Sequence, residues 1–418
     1  MTDLEKLSNI IEYAYTSVPF YKKRYDIGSG TSFLKSDPVK FIQKLPIIEK
    51  DDVRRYAAEL TSHDFETNLR SKSLITKSTS GSTGKCLHIY WSRRDDVLTN
   101  FEAWRYRQKW YGITPKDKYA TFHTTMYMGN RFLAEKEFTV EDNRHISFNK
   151  LLLSKATSNE YLKKINIFGA SILLTQPSVL ELFIRTANKE TMHILRGLKY
   201  IELIGEYCSP EFLEYVQRML PTVLISNMYG TTETGYVALT CRHGHQHILG
   251  NAFVEVLNYD NAPTSECGRL IVTSLTNYAM PFIRYNIGDR GIVVPSNCEC
   301  GYKGYDLIIT QGRESDFVSV PEDEQKPAYT LWYPIERINS EFGNPIISYH
   351  FIQKKKDLMF VFLSIKQEFL PWSAIIESSL VKALKDDISP KIEYQISFVE
   401  HSFSKCQKLK FFENQISL

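Results

Sequence analysis

Apolar and polar positions change period several times along the chain, and the clearest rhythm begins at Ser171. Ser171-Ile172-Leu173-Leu174 is a short apolar run that reads as a strand, and a helix is expected to start near Pro177. Lys199-Tyr200-Ile201-Glu202-Leu203-Ile204 is a second strand, leaving through Gly205. Ser209-Pro210-Glu211 then carries the marks of a helix start: a hydroxyl cap, proline at the first helical position and an acid in the first turn. Thr222-Val223-Leu224-Ile225-Ser226 reads as the next strand. Strand–helix–strand alternation with crossovers of this length implies a largely parallel sheet. Ligands of such sheets belong at the strands' carboxyl ends, where Gly205, Glu206 and the stretch Tyr229 to Glu233 fall.

Upstream, helical patterns mix with aromatic and basic residues, and Leu45 to Val53 reads as an extended segment entering a helix. Leu87, Ile89 and Trp91 alternate with polar partners, the period of a strand. Beyond Gly312-Arg313 the pattern changes. It predicts a strand near Phe317, a helix around Pro334 to Phe342, and a hairpin turning at Lys354 to Asp357. A helix from about Pro371 to Asp386 and a strand from Ile392 to Val399 complete this part. At 418 residues the chain is too long for one small core. The expectation is α/β: a large N-terminal domain over 1–312 with mixed, partly parallel sheets and helices, and a small α+β domain over 313–418.

Composition narrows the function classes. With 43% apolar and 24% charged residues the chain reads as soluble and globular. Its 51 basic and 48 acidic residues leave +3, which argues against nucleic-acid binding. Lys354-Lys355-Lys356 fits a turn on a solvated face. No run approaches the ~20 apolar residues of a membrane span. The start at Met1-Thr2-Asp3-Leu4-Glu5-Lys6 lacks a secretion signal, so a cytoplasmic address is expected. Seven cysteines, an odd number, do not suit a disulfide framework and leave some free for a metal.

Three separated stretches carry candidate chemistry. Thr79-Ser80-Gly81-Ser82-Thr83-Gly84-Lys85 offers amides and hydroxyls that could cradle phosphates, or could be an ordinary hairpin turn. It is not a P-loop: that motif needs glycine where Thr79 stands, Ser or Thr where Cys86 stands, and a helix rather than a strand afterwards. Tyr229-Gly230-Thr231-Thr232-Glu233 supplies a ring, hydroxyls and a carboxylate. Arg284-Tyr285-Asn286-Ile287-Gly288-Asp289 ends in an acid able to hold a ribose. Together they suggest ATP used to activate a carboxylic acid. A fourth set is Cys241 and a histidine, followed by Cys298 and Cys300, which supplies the ligands of a Cys₃His zinc site or else is three buried thiols. On spacing alone His243, His245 and His247 compete for the nitrogen.

With these residues in view, the chain resembles the adenylate-forming enzymes of the acyl-CoA synthetase superfamily, in the phenylacetate–CoA ligase branch that includes CapK-type capsule proteins. Leu45-Pro46-Ile47-Ile48 with Lys50 resembles that branch's early signature, and Thr79 to Lys85 the phosphate loop. Tyr229 to Glu233 resembles the Tyr-Gly-x-Thr-Glu motif, Ala279 to Asp289 is the most specific match, and Gly312-Arg313-Glu314-Ser315-Asp316 resembles the hinge. The resemblance implies that Glu233 binds Mg²⁺, Thr232 meets the α-phosphate, Tyr229 stacks on adenine and Asp289 accepts the ribose hydroxyls. It places Ser80, Gly81, Ser82, Thr83, Gly84, Lys85, Gly230, Thr231 and Arg313 among the nucleotide contacts. Gly205 and Glu206 either line that pocket or serve the strand end alone. Asp316 would be the hinge of a mobile C-terminal domain. Lys408 best matches the family's terminal catalytic lysine, although Gln407 replaces the glycine that should precede it, and Lys405 and Lys410 remain rivals. The branch also favours His247 for a structural zinc, whose clip from Cys241 to Cys300 would brace the segment carrying Asp289.

The implied reaction is carboxylate plus ATP to acyl-adenylate and pyrophosphate, then transfer to an acceptor. Coenzyme A is the default acceptor by resemblance. An amine or hydroxyl acceptor in polysaccharide biosynthesis is the alternative, and a nucleotide-binding protein without turnover is the second. The cofactors implied are ATP, Mg²⁺ and structural Zn²⁺. The partners are a small carboxylic acid and the acceptor, with no nucleic acid, no membrane span, and a homodimer permitted. Phe122 to Tyr127 either shapes the acid pocket or packs the core.

Overall fold

The computed structural model describes residues 2–24, 34, 36–62, 67, 73–78, 87–123, 138–140, 142–311, 317–321, 324–343, 345–399 and 412–416. The chain opens with helices α1 (Asp3–Ser17), α2 (Pro19–Arg24), α3 (Pro38–Ile42) and α4 (Lys50–Arg55). Strands β1 (Leu74–Ser78) and β2 (His88–Ser92) and helix α5 (Arg93–Tyr111) follow. Next come β3 (Tyr119–His123), β4 (Phe138–Val140), β5 (His145–Asn149), α6 (Ser158–Phe168), β6 (Ile172–Thr175), α7 (Pro177–Thr186) and α8 (Lys189–Gly197). Strand β7 (Tyr200–Ile204), helix α9 (Pro210–Met219), and strands β8 (Leu224–Thr231), β9 (Gly235–Thr240) and β10 (Gln246–Ile248) lead into β11 (Ala252–Leu257), β12 (Gly268–Ser274), β13 (Tyr285–Pro295) and β14 (Tyr305–Gln311). The last part holds β15 (Phe317–Val320), β16 (Glu324–Pro327), α10 (Trp332–Phe342), β17 (Ile346–Lys355), β18 (Leu358–Ile365), α11 (Ser373–Asp387), β19 (Glu393–Phe398) and β20 (Phe412–Asn414). The α/β class with a mixed, partly parallel sheet and a smaller C-terminal α+β part is the one the sequence predicts.

Two compact units divide the chain. The first comprises Met1–Asp117, Tyr200–Gly205 and Leu224–Thr310. Its strands run in the order β11-β12-β13-β14-β10-β9-β8-β7. β7 and β8 are parallel, as the crossover length requires, while β8–β9, β11–β12 and β12–β13 are antiparallel. Helix α5 starts where the Ser92 hydroxyl accepts from the Asp95 amide at 3.0 Å and stops at Gly112, whose φ of +67° closes the last turn. It is fastened to β7 by a fully buried pair, Arg107 Nε and Nη2 donating to the two oxygens of Glu202 at 2.7 and 2.6 Å. Tyr200 donates to the same carboxylate at 2.7 Å. Replacing Arg107 with methionine removes both guanidinium donors from the buried Glu202 carboxylate, so urea unfolding of this variant should show a loss of about 3–5 kcal/mol.

The second unit comprises Lys118–Lys199, Glu206–Val223 and Gln311–Leu418. Here β3 lies between β5 and β6, parallel to both, and β4 pairs antiparallel with β5. Phe122 is core packing, stacked 5.2 Å from Phe148 and edge-on to Phe183, whereas Tyr127 lies outside the described residues. Helix α9 begins as its sequence predicts, with the Ser209 hydroxyl accepting from the Phe212 amide at 3.2 Å. The C-terminal strands form their own sheet, β19-β18-β17-β20, covered by an apolar core that includes Leu331 just before α10, Ile335 of α10, and Leu380 and Leu384 of α11. Within this unit Arg185 of α7 is buried between Glu181, 2.7 Å away, and Glu336 of α10. No helix among the described residues is long and apolar enough to cross a membrane.

Candidate functional site

The second and third motifs meet in the first unit. Strand β8 runs through Tyr229 and Gly230 to Thr231, then turns through Thr232, Glu233 and Thr234 into β9. The turn is closed by the Thr234 amide donating to Thr231 Oγ1 at 3.1 Å. Gly230 sits at a register shift where a Cβ would lie 2.5 Å from the carbonyl oxygen of Gly235, so only glycine lets the two strands approach.

Two hydrogen bonds join this hairpin to β13. Tyr229 Oη donates to Asp289 Oδ2 at 2.6 Å. Tyr285 Oη donates to Glu233 Oε1 at 3.1 Å, and both side chains are buried. The ring named for adenine and the acid named for ribose are therefore neighbours, and the acid named for Mg²⁺ is held by a residue of the third motif.

The third motif gains its shape from an uncommon backbone. Arg284 adopts φ +53°, a left-handed conformation that a non-glycine residue holds only when its surroundings enforce it. Here its amide donates to Thr273 Oγ1 at 2.9 Å, and its guanidinium pairs with Glu255 at 3.1 Å and donates to the carbonyls of Gln43 and Leu45. Burial pushes the Glu255 carboxyl up, opposed by that guanidinium. Ile48 of the early signature bridges Tyr285: its amide donates to the Arg284 carbonyl, and its carbonyl accepts from Asn286, both at 2.9 Å. The reading from sequence placed Arg284 and Tyr285 in a motif without a role for either side chain.

The stretch expected to form a phosphate loop, Ser80 to Lys85, lies outside the described residues, as do Arg313, Asp316, Lys405, Lys408 and Lys410. The loop's flanks are described. β1 and β2 are antiparallel and pair Ser78 with His88, so the loop joins two strands. Trp91 of β2 donates from Nε1 to the carbonyl of Thr232 at 3.1 Å. Gly235, at φ +77°, lies where a Cβ would be 3.0 Å from the Trp91 ring. Trp91 is a contact that alternation alone marks only as an inward-facing strand residue.

Gly205, directly after β7, has φ +85°. The Glu206 carboxylate is taken up within the second unit. It accepts from Lys150 Nζ at 3.1 Å and from the Ser178 amide and hydroxyl at 3.1 and 3.0 Å.

The four proposed zinc ligands come together in the first unit. One donor atom from each of Cys241, His247, Cys298 and Cys300 lies within 4.8 Å of every other. Cys241 and Cys298 sulfurs are 3.5 Å apart, and His247 Nε2 is 3.0 Å from Cys300 Sγ. A tetrahedron with Zn–S bonds of ~2.3 Å has edges of about 3.8 Å, so three sulfurs and one imidazole nitrogen fit that ion. Burial pushes the Cys241 thiol up to about 12, which a bound cation would reverse. Of the three competing histidines only His247 belongs to the cluster. Its orientation is set by Asp306, directly opposite on β14: Oδ1 is 2.6 Å from His247 Nδ1 and Oδ2 is 2.7 Å from His245 Nδ1. This leaves Nε2 of His247 for the thiols. The Tyr302 and Trp110 rings pack against the imidazole at 4.4 and 5.0 Å. Nothing in the spacing of cysteines and histidines points to Asp306.

No family model matches the chain. Two curated proteins align over most of it, both phenylacetate-coenzyme A ligases. That of Thermus thermophilus is 23% identical over 336 residues, 76% of this chain and 70% of the relative. That of Escherichia coli is 23% identical over 310 residues, 70% of this chain and 66% of the relative. Among solved structures, a 2-hydroxyisobutyryl-CoA ligase in the postadenylation state covers 99% of this chain and 88% of its own, at 16% identity and a TM-score of 0.74. Fatty acyl-adenylate ligases from E. coli and L. pneumophila give a TM-score of 0.56 at 13% identity, over 80% of this chain and 68% of theirs.

Proposed function

We propose that this chain is an adenylate-forming (acyl-CoA synthetase) enzyme, one that activates a small carboxylic acid with ATP and transfers the acyl group to coenzyme A. The acid's carboxylate oxygen attacks the α-phosphorus, the bond to the bridging oxygen breaks, and pyrophosphate leaves. The acceptor thiol then attacks the acyl carbonyl, loses its proton and expels AMP.

The observation that carries this reading is the pair of bonds Tyr229–Asp289 and Tyr285–Glu233. They bring together, on one hairpin and strand β13, the ring proposed to stack on adenine, the acid proposed to hold the ribose and the carboxylate proposed for Mg²⁺. Glu233 would hold Mg²⁺, which when bound neutralises phosphate charge. Thr232 would donate to the α-phosphate, and the loop from Ser80 to Lys85 would wrap the β- and γ-phosphates. Gly205 and Glu206 would contribute main chain to the base pocket, since the Glu206 side chain is engaged elsewhere. Lys408 would bridge carboxylate and phosphate oxygens, with Arg313 on the nucleotide and Asp316 as the hinge between domains 1–312 and 313–418. Zn²⁺ at Cys241, His247, Cys298 and Cys300 is structural in this reading.

The direct test measures pyrophosphate release with Mg-ATP across a panel of carboxylic acids, for the wild type and Lys408→Ala. Acid-dependent release that drops about 10²-fold or more in the variant supports the assignment. Full retention passes the role to Lys405 or Lys410. Release without thioester formation points to the amine or hydroxyl acceptor. Nucleotide binding with no release under any acid would make the chain a binding protein, the outcome favoured by Gln407 in place of glycine.

A further inference from the structure

Within the first unit, Trp91 stands between elements that carry different motifs. It is fully buried on β2 and pairs across the ladder with Ile75 of β1. Its Nε1 donates to the Thr232 carbonyl at 3.1 Å, and its ring fills the space that a Gly235 side chain would need. Lys77 Nζ lies 4.6 Å from the ring centroid and is itself anchored by Asp96 at 2.6 Å. The preceding residue, Tyr90, offers its carbonyl to Asn277 Nδ2 at 3.1 Å. Asn277 Oδ1 in turn accepts from the Met280 amide at 3.1 Å, on the segment that leads to Tyr285 and Asp289. Two consecutive residues of β2 thus touch the Thr232 turn and the approach to the third motif.

A buried tryptophan is ordinarily core packing, and Trp91 does belong to an apolar cluster. Packing alone does not call for its N–H. Phenylalanine would fill much of the same space, and the chain elsewhere buries indoles whose N–H has no acceptor among the described residues, at Trp110 and Trp332. At Trp91 the donor meets the carbonyl of the peptide that links Thr232 to Glu233. That peptide is trans and planar, so it moves as one plate carrying both Cα atoms. One hydrogen bond therefore sets where both side chains start. Tyr285 holds the far end of Glu233 by its carboxylate. Glu233 is fixed twice, by main chain and by side chain.

We propose that Trp91 is a positioning residue of the Mg-nucleotide site, acting through the Thr232–Glu233 peptide. This rests on the reading that assigns Thr232 to the α-phosphate and Glu233 to Mg²⁺. Magnesium accepts little departure from octahedral geometry, and phosphoryl chemistry depends chiefly on placement. A peptide plate free to tilt would loosen the metal ligand and the phosphate donor together. Trp91 has no part in holding the acid, so KM for the acid should not respond.

Trp91→Phe keeps a ring and removes the donor. In the full chain, kcat for acid-dependent pyrophosphate release should fall about tenfold, and the Mg²⁺ concentration for half-maximal rate should rise about threefold. KM for the acid should stay unchanged. In a Glu233→Ala background the same change should cost less than about threefold more, because the group it positions is gone. Benzothienylalanine at position 91 exchanges the N–H for sulfur at nearly the same shape, and should reproduce the Mg²⁺ shift. It decides where Trp91→Phe fails to fold or the two disagree. A Mg²⁺ requirement unmoved by the sulfur analogue, or an equal loss with and without Glu233, overturns the inference and leaves Trp91 as core packing. If the wild type turns over no acid, the adenylation reading fails by itself, and the melting-temperature rise that Mg²⁺ adds to ATP decides. A smaller rise in the analogue upholds the positioning role. An equal rise, or none in the wild type, overturns it.

Discussion

Acid-dependent pyrophosphate release should fall by about 10²–10³-fold when Glu233 is replaced by alanine. Glu233 is 8% exposed in a turn that Gly230 and Gly235 hold tightly, and its carboxylate accepts from Tyr285. Alanine keeps the turn and removes the only acid in the Tyr-Gly-Thr-Thr-Glu stretch. Tyr285→Phe should act on the same step through position alone. It removes one hydrogen bond, so activity at saturating Mg²⁺ should drop by about tenfold or less. The Mg²⁺ concentration for half-maximal rate should rise, while KM for the acid stays put. Initial rates over a Mg²⁺ titration at fixed ATP read both variants. Unchanged release by Glu233→Ala would remove the metal role from Glu233, and an unchanged Mg²⁺ requirement in Tyr285→Phe would reduce that bond to packing.

Purified protein should contain about one equivalent of zinc, and losing it should lower the melting temperature by about 10 °C. The cluster joins the turn after β9, strand β10 and the segment at 298–300, and Asp306 extends the connection to β14. Without a cation these are two buried thiols, a half-buried one and an imidazole, with no bond holding the sulfurs together. Cys298→Ser should abolish the metal. Asp306→Asn should keep the shape but weaken the hold on His247 Nδ1, raising the zinc dissociation constant about 10–100-fold. Metal analysis with a chelator competition checks all three, and a metal-free wild type with an unchanged melting curve would end the assignment.

Much of this was legible in the sequence, for physical reasons. The strands at Ile172 and Tyr200 and the helix at Pro210 announce themselves because hydrophobic period and capping chemistry are local. The second and third motifs could be paired because each holds groups that make chemical sense only together. What escaped is what depends on distant contact. Trp91 meets Thr232 across 141 positions, Asp306 orients His247 across 59, and Lys150 reaches Glu206 across 56. No periodicity encodes such meetings. Arg284 escaped differently: its positive φ is forced on an ordinary residue by tertiary bonds, against its own preference. Among the three histidines near Cys241 the spacing could not decide, and the ladder did, by setting Asp306 opposite His247.

The bridge between Ile48 and Tyr285 has a consequence for biosynthesis. The neighbouring contact, Asn286 to Glu49, spans 237 positions. At ~5–20 residues per second on the ribosome, the emerging amino-terminal segment waits roughly 12–47 s for this partner. Through that interval Ile48, 1% exposed in the finished fold, lacks its strand partner Tyr285 and the late core residues Met280, Phe282 and Ile283. Nascent chains stalled before residue 285 should therefore be protease-sensitive at their front end and good clients for chaperones.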